Sequence, residues 1–179
     1  FVVIGAGFIG LEAAATAKHL GAEVTVLEGA PAPLIRGLGA EMGTAIASIH
    51  ERNGVRIRCG VAIDGIEQVD GRVTAVRLGD GTSIGADVVL VGIGVTPVVA
   101  WLQGSGLTLN DGVVCDANLN AGAPGVYAAG DLLRWPNELF AHVEPVMRVE
   151  HWTNAAEQGA AAARNLLAVS RGEAPQPYA

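Results

Sequence analysis

Short hydrophobic runs at the start of the chain predict a strand, a helix and a second strand. Phe1 to Ile4 and Glu23 to Leu27 are rich in β-branched residues, and the alanine-rich segment Ile9 to Leu20 lies between them. Such runs are typical of buried strands, and an alanine-rich segment of this length favours a helix. Gly21 follows the helical segment, at a place where a glycine commonly ends a helix. The first 28 residues therefore predict a βαβ unit.

The following segment predicts one more helix and one more strand, and then the pattern changes. An apolar face repeats over about Ala40 to Arg52, which predicts a helix, and Val55 to Arg58 predicts a strand. Residues 61–86 alternate in short runs that are separated by the turn dipeptides Asp70-Gly71 and Asp80-Gly81, which predicts an antiparallel three-stranded meander. The other predicted elements are strands over Val88 to Val91, Gly112 to Cys115 and Gly125 to Ala129, and helices over Val98 to Gln103 and Asn154 to Val169.

The order of these elements predicts an α/β fold. A Rossmann-like parallel sheet carries the antiparallel meander, and a partial second α/β domain follows. Turn-forming residues cluster near Asn118 to Ala123 and predict a boundary between domains 1–119 and 120–179. Residues 120–179 contain too few elements for a core of their own, so we expect them to pack against a part outside this sequence. The Pro-containing segment Glu173 to Ala179 is typical of a connector, so we expect the chain to be a piece of a longer protein.

The composition argues against several classes of partner. A net charge of −7 and a pI near 5.0 disfavour binding to a polyanion, so we expect no nucleic-acid partner. Cys59 and Cys115 lack a CxxC spacing, and His142 and His151 lack a ligand spacing, so we expect core thiols and no metal site. The sequence contains neither a long uncharged apolar run nor a basic signal segment. We therefore expect a soluble cytoplasmic protein without a membrane partner.

A glycine motif joins the first predicted strand to the first predicted helix. Gly5, Gly7 and Gly10 have the GxGxxG spacing, and in this context the motif predicts a dinucleotide-binding turn. The first glycine permits the tight turn, the second lets the backbone approach a pyrophosphate, and the third lets helix and strand pack closely. The phosphates are then expected at the positive end of the helix dipole.

Acidic residues near this motif indicate which nucleotide it binds. Glu28 ends the second predicted strand, where a carboxylate accepts hydrogen bonds from both ribose hydroxyls of an adenosine. A 2′-phosphate would meet a like charge there, so we expect NAD(H) rather than NADP(H), although the nearby Arg36 would soften that repulsion. Glu12 lies on the first helical turn, where the helix dipole alone favours a carboxylate. The run Gly92 to Gly94 brings bare backbone to the same sheet edge and by itself is a weak signal.

Five sequence runs occur in one order and together resemble a known family. The runs are Val2 to Glu12, Val24 to Glu28, Gly92 to Val95 with Pro97, Gly125 to Asp131 and Arg148 to Ala155. Together they resemble the FAD-dependent pyridine nucleotide-disulfide oxidoreductases, which have two dinucleotide-binding domains. The last run resembles that of the NADH-dependent ferredoxin or rubredoxin reductases. The resemblance covers nearly the whole chain and implies an NAD(H)-binding domain over 1–119, followed by the C-terminal part of an FAD-binding domain over 120–179.

The resemblance also implies contacts with NADH. The residues implied at the pyrophosphate are Gly5, Gly7, Phe8, Ile9 and Gly10. Glu28 is implied at the adenosine ribose, Arg36 at the adenine or phosphate side, and Gly94 at the nicotinamide ribose. Glu12 and Glu150 are implied near the nicotinamide, which gives Glu12 a function beyond the helix dipole.

The same resemblance implies contacts with a flavin. Gly130 and Asp131 belong to the family's second flavin motif, in which Asp131 would hold the ribityl hydroxyls, and Trp152 is implied near the isoalloxazine. Asn154 and Glu157 have the spacing of a capping pair, so we expect a helix that starts there and directs its positive end at the flavin.

These implications define an expected reaction of the full-length protein. A hydride would move from NADH to FAD, and single electrons would pass to a small iron–sulfur carrier, a ferredoxin or rubredoxin, with no covalent catalysis by a side chain. The family's first flavin motif and its C-terminal interface domain are not in this sequence. We therefore expect the isolated chain to bind NADH weakly, to hold no FAD and to be inactive as a reductase.

Two alternatives stay open at this point. A disulfide reductase or NADH peroxidase of the same fold would carry a redox-active cysteine upstream of Phe1. A non-catalytic NAD-sensing module, similar to apoptosis-inducing factor, would change its oligomeric state when it binds the nucleotide. The sequence upstream of Phe1 distinguishes the first alternative, and gel filtration with NADH distinguishes the second.

Overall fold

The computed structural model describes residues 1–178 and divides into two compact units, Phe1–Val95 and the part of the chain from Thr96 onward. The predicted α/β class is confirmed, because the first unit contains a four-stranded parallel sheet and a separate three-stranded antiparallel meander. The elements of this unit are β1 (Val2–Ile4), α1 (Phe8–His19), β2 (Thr25–Glu28), α2 (Ile35–Arg52), β3 (Arg56–Cys59), β4 (Ile63–Val69), β5 (Arg72–Leu78), β6 (Ser83–Gly85) and β7 (Val89–Val91).

The parallel sheet of the first unit has the strand order β3-β2-β1-β7, and the meander has the order β4-β5-β6. Successive side chains of a strand point to opposite faces, so each strand supplies two layers. On one face, Val3 and Val26 pack in one buried cluster with Leu11 of α1. On the other face, Ile4 packs in a second cluster with Val76 of β5. The sheet is therefore covered by helix on one face and by the meander on the other.

The second helix begins earlier than the sequence predicts. It starts at Ile35 rather than at Ala40, and Gly39 interrupts it with a left-handed φ of 77°. Leu34, which precedes the helix, is also left-handed with a φ of 53°. The apolar face used for the prediction lies beyond Gly39, so it carries no information about the short turn before the kink.

The second unit contains a smaller sheet and the longest helix of the chain as described. Its elements are β8 (Val113–Val114), β9 (Leu133–Pro136), β10 (Val146–Met147), α3 (Trp152–Ser170) and short 3-10 turns at Ala100–Leu102, Gly130–Leu132 and Glu138–Phe140. Strand β9 is central: it pairs in parallel with β8 and antiparallel with β10. No helix within residues 1–178 is both long enough and apolar enough to cross a membrane.

One local prediction for the second unit was wrong, and two of its strands were not predicted. Gly125 to Ala129 does not form a strand; Tyr127 makes only an isolated bridge to Asn120, and Gly125 has the left-handed φ of a turn, 73°. The sequence pattern did not predict β9 or β10. Both strands are short, and β10 contains only two residues, so neither produces a readable alternation.

The division between the units differs from the predicted boundary at residues 119 and 120. It falls between Val95 and Thr96, because Val113 and Leu119 pack in one buried cluster with Trp135 and Ala161. Residues 96–119 thus complete a core that residues 120–179 could not form alone. This agrees with the expectation that residues 120–179 lack a core of their own, but the segment that completes the core lies within this sequence rather than outside it.

The C-terminal segment is anchored rather than free. The side chain of Asn165 accepts a hydrogen bond from the Gln176 N–H at 2.9 Å and donates one to the Gln176 carbonyl at 2.8 Å. The Tyr178 N–H donates to the Ala117 carbonyl at 2.8 Å, and its ring lies 5.9 Å from that of Trp135, centre to centre. The sequence predicts a connector here, but these residues are part of the second unit.

Candidate functional site

Three parallel strands end at one edge of the sheet in the first unit. The Gly5 N–H donates to the Leu27 carbonyl at 2.8 Å, and the Gly92 N–H donates to the Ile4 carbonyl at 2.7 Å. These bonds hold the glycine turn after β1 between the ends of β2 and β7. The edge therefore gathers the glycine turn, Glu28 and the loop after β7, and ligands of open α/β sheets bind at such a carboxyl edge.

The three glycines of the motif have different surroundings. A Cβ on Gly10 would lie 2.0 Å from the Gly5 carbonyl oxygen, and a Cβ on Gly5 would lie 2.4 Å from the Gly92 carbonyl oxygen. Gly5 also has a φ of +101°, which L-residues with side chains rarely adopt. A Cβ on Gly7 would meet no atom within 4 Å. Gly5 and Gly10 therefore allow close packing, whereas Gly7 borders open space.

The start of α1 leaves backbone donors at this open space. The first intrahelical bond runs from the Leu11 N–H to the Gly7 carbonyl at 3.0 Å, and no side chain caps the helix. The N–H groups of Phe8, Ile9 and Gly10 therefore have no helical carbonyl to bind. Free N–H groups and the helix dipole together form an anion site, which fits a pyrophosphate. The side chains of Phe8 and Ile9 are largely exposed beside it.

Glu28 is fixed against the glycine turn by two hydrogen bonds. Its Oε2 accepts from the Ala6 N–H at 2.7 Å, and its Oε1 accepts from the Ala30 N–H at 2.8 Å. The side chain is partly buried at the end of β2. Each carboxylate oxygen keeps a second acceptor position, so the oriented negative charge can also receive hydroxyl donors.

The other residues expected at the nucleotide have less defined surroundings. Arg36 is exposed in the first turn of α2 and forms no ion pair within the part of the chain that is described. Gly94 has a φ of +103°, and a Cβ there would meet open space. Glu12 is exposed, and it is the fifth residue of α1 rather than a first-turn residue. The helix dipole is therefore a weaker explanation for Glu12 than the sequence predicts.

The second unit brings together Asp131 and Glu150 through one arginine. Arg148 Nη1 donates to the Asp131 carbonyl at 3.0 Å and to Glu150 Oε1, and Arg148 Nη2 donates to Asp111 Oδ2 at 3.2 Å. Burial lowers the pKa of the Arg148 guanidinium, but the two carboxylates outweigh that effect and raise the pKa above its ordinary value. Trp152 is highly exposed at the first residue of α3.

The start of α3 differs from the prediction. The helix begins at Trp152, and its N-cap is His151, whose Nδ1 accepts from the Thr153 N–H at 3.3 Å. Asn154 instead donates to the Val149 carbonyl at 3.2 Å and accepts from the Tyr178 hydroxyl at 3.2 Å. The predicted capping pair of Asn154 and Glu157 was therefore wrong, because the side chain of His151, three residues before the expected start, already caps the helix.

Two side chains that contact the Gly130 to Leu132 turn were not predicted from the sequence. Gln158 of α3 is fully buried, and its Oε1 accepts from the Gly130 N–H at 2.8 Å. Arg148 lies within a recognised run, but nothing in its spacing indicates a bond to the Asp131 carbonyl. The available signal was Gln158 itself, a polar residue among the small apolar residues of a helix face.

Comparison with protein-family models settles the family. The model described as pyridine nucleotide-disulphide oxidoreductase matches residues 1–159. The chain belongs to this family. The resemblance found in the sequence is thereby confirmed.

Relatives in the pyridine nucleotide-disulphide oxidoreductase family include several reductases. The chain is 36% identical over 169 residues to rhodocoxin reductase from Rhodococcus erythropolis, covering 94% of this chain and 39% of that protein. It is 39% identical over 181 residues to the 5,5'-dehydrodivanillate O-demethylase ferredoxin reductase subunit from Sphingobium sp. This match covers 99% of this chain and 42% of that protein. A crystal structure of the covalent putidaredoxin reductase-putidaredoxin complex matches with a TM-score of 0.87 and 34% identity. The match covers 99% of this chain and 42% of the chain in that structure. The chain thus spans about two fifths of the length of the curated relatives it matches.

The cysteines of this family member are not activated thiols. The pKa of Cys115 is raised to about 11, mainly by burial; a hydrogen bond with the Ala128 backbone opposes the shift, and the Asp116 charge adds to it. Burial also raises the pKa of Cys59, with contributions from Glu28 and Glu51. The nucleophile in disulfide chemistry is the thiolate, which these surroundings disfavour. Across residues 1–178, no group of three or more His, Cys, Asp or Glu residues is arranged to hold a metal ion.

Proposed function

We propose that this chain supplies the NADH-binding part and the second half of the FAD-binding part of a ferredoxin or rubredoxin reductase. The first unit would hold NADH, and the second unit would hold part of FAD. NADH supplies a hydride, and FAD accepts it and releases single electrons to a small iron–sulfur protein. The names of the reductases to which the chain is similar support this proposal.

The observation that carries the proposal is the fixed carboxylate of Glu28 beside the open glycine turn. The two bonds to Ala6 and Ala30 orient the carboxylate without using all of its acceptor positions. It would accept hydrogen bonds from the two ribose hydroxyls, whereas a 2′-phosphate would be repelled by its charge. This favours NADH over NADPH, with Arg36 at the adenine or phosphate side.

The remaining roles follow from position and charge. The N–H groups of Phe8, Ile9 and Gly10 would donate to the pyrophosphate, because the open space at Gly7 lets a ligand approach them. Gly94 would lie at the nicotinamide ribose. Glu12 and Glu150 would approach the nicotinamide.

The flavin contacts would come from the second unit. Asp131 and Gly130 would hold the ribityl chain, and Trp152 would lie near the isoalloxazine. The start of α3, beside Trp152, would direct the positive end of the helix towards the flavin. The two free cysteines are compatible with a reducing compartment, so we propose a cytoplasmic location.

Anaerobic mixing of the full-length protein with NADH tests this function. We expect the visible flavin absorbance to bleach with NADH, to bleach much more slowly with NADPH, and to recover when an oxidised ferredoxin or rubredoxin is added. A small disulfide added in place of the iron–sulfur protein should not restore the absorbance. Bleaching that only the disulfide reverses would refute the proposal and favour a disulfide reductase.

A further inference from the structure

A fully buried side chain and a largely buried one hold the Gly130–Asp131 turn from different elements. Gln158 of α3 is fully buried, and its Oε1 accepts from the Gly130 N–H at 2.8 Å. Arg148 is only 13% exposed in its side chain, and its Nη1 donates to the Asp131 carbonyl at 3.0 Å. The backbone of the turn is thus bonded on both sides, one bond on each residue.

The turn has little freedom to adopt another conformation. Gly130 is buried with a φ of +77°, and a Cβ there would lie 3.2 Å from the Ala155 Cβ. The Asp131 side chain is exposed, and no hydrogen bond of its carboxylate occurs within residues 1–178. The backbone is therefore fixed while the carboxylate stays available to an external ligand.

The Arg148 guanidinium suits this position because it is planar and carries several N–H donors. It contacts the Asp131 carbonyl, the Glu150 carboxylate and the Asp111 carboxylate, which come from three separate segments. Two carboxylates offset the positive charge of a largely buried side chain. A lysine has a single ammonium group and cannot reproduce the planar fork.

We propose that Arg148 and Gln158 are positioning residues for Asp131, fixing the turn that presents its carboxylate to the flavin ribityl hydroxyls. The proposal rests on the proposed function, because it takes Asp131 as a flavin ligand. Neither side chain is assigned a contact with the cofactor. Their effect on FAD passes through the Asp131 backbone.

The chain offers a matched control for Arg148. The side chain of Arg134 is 16% exposed, and its Nη2 donates to Glu144 and to the Val146 carbonyl. It therefore resembles Arg148 in burial and in having a carboxylate partner, yet it makes no hydrogen bond to the Gly130–Asp131 turn. Arg148→Met and Arg134→Met should destabilise the protein similarly, and only the first should affect FAD.

The test measures FAD dissociation constants of the full-length protein by titrating apoprotein with FAD and following the flavin fluorescence. We expect Arg148→Met to raise the dissociation constant about tenfold, since a hydrogen bond to a charged group contributes that much. Arg134→Met should leave the FAD dissociation constant within about twofold of that of the unmutated protein. Arg148→Lys should give an intermediate value. Gln158→Met should raise the FAD dissociation constant about as much as Arg148→Met does. If Gln158→Met fails to fold, the Arg148 variants test the proposal.

A double-mutant cycle with Asp131→Ala separates positioning from general destabilisation. If Arg148 acts through Asp131, Arg148→Met should raise the FAD dissociation constant by less than about twofold in the Asp131→Ala background. An additive tenfold effect in that background, or equal effects of Arg148→Met and Arg134→Met, would overturn the inference. An unmutated apoprotein that does not bind FAD would instead overturn the proposed function, and the inference with it.

Discussion

The carboxylate of Glu28 accepts a hydrogen bond from the backbone N–H of Ala6, across 2.7 Å. This bond joins the end of β2 to the glycine turn that follows β1. The Ala6 carbonyl in turn accepts from the Leu34 N–H at 3.0 Å, so the turn is also tied to the residue before α2. The side chain proposed to bind the ribose therefore also braces the backbone around the pyrophosphate site.

The bracing role predicts that Glu28 contributes to stability without any nucleotide. Glu28→Ala should lower the free energy of unfolding by about 2 kcal/mol, because it removes two charge-assisted bonds from partly buried backbone donors. Glu23→Ala is the control: Glu23 precedes the same strand and has only an exposed pair with Arg56, so about 0.5 kcal/mol or less is expected. Urea unfolding of the three proteins measures the difference, and equal losses in both variants would contradict the bracing role.

Gly10 and Gly7 should separate folding from binding. Gly10→Ala places a Cβ 2.0 Å from the Gly5 carbonyl oxygen, so it should lower the free energy of unfolding by about 3 kcal/mol or more. Gly7→Ala meets open space, so it should cost about 1 kcal/mol or less through the poorer N-cap. It should nevertheless weaken NADH binding more than about tenfold, because the Cβ enters the space proposed for the pyrophosphate. Thermal unfolding and calorimetric titration with NADH measure the two effects, and unchanged NADH binding by Gly7→Ala would count against the proposed site.

Cys115 should make the second unit sensitive to alkaline pH. Its pKa is raised from 9.0 to about 11 by burial, so the folded state favours the protonated thiol. The stabilisation is complete below pH 9.0 and is lost as the pH rises towards about 11, because the unfolded chain releases the proton first. The stability difference between the unmutated protein and Cys115→Ala should shrink by about 2 kcal/mol over that range. A difference that does not change with pH in urea unfolding would refute this prediction.

Asn165 should be important for the second unit because it anchors the C-terminal segment. The residue is 4% exposed, and its side chain bonds to the Asn118 carbonyl and to both backbone groups of Gln176. Asn165→Ala should lower the free energy of unfolding by about 3 kcal/mol, since several buried groups lose their partners. Asn53→Ala removes one exposed hydrogen bond to the Ile49 carbonyl and should change the free energy of unfolding by about 0.5 kcal/mol or less. Similar results for the two variants, measured by thermal unfolding, would show that the segment is not anchored through Asn165.

The sequence was informative where a local pattern has one physical explanation. The glycine turn followed by a helix predicts its own geometry, because only glycine tolerates the close approaches at Gly5 and Gly10. The position of Glu28 at the end of β2 follows from strand length. The meander could be predicted because the alternating short runs and the Asp-Gly turn dipeptides both indicate it.

The sequence could not reveal contacts between distant segments. Gln158 reaches Gly130 across 28 residues, and Arg148 reaches Asp111 across 37, so no local spacing connects either pair. Strand β9 forms because it lies between β8 and β10, and such pairing depends on the assembled unit. The unit boundary at Val95 was missed for the same reason, since the packing of Leu119 with Trp135 decides it.

Titration with NADH and NADPH side by side tests the central claim most directly. The unmutated protein should bind NADH at least about tenfold more tightly than NADPH, because the fixed Glu28 carboxylate accepts the ribose hydroxyls and repels a 2′-phosphate. Glu28→Ala should reduce that ratio to about twofold or less, and Glu23→Ala should leave it unchanged. The ratio is insensitive to a general loss of folded protein, which affects both nucleotides equally. Equal affinity of the unmutated protein for NADH and NADPH would contradict the account.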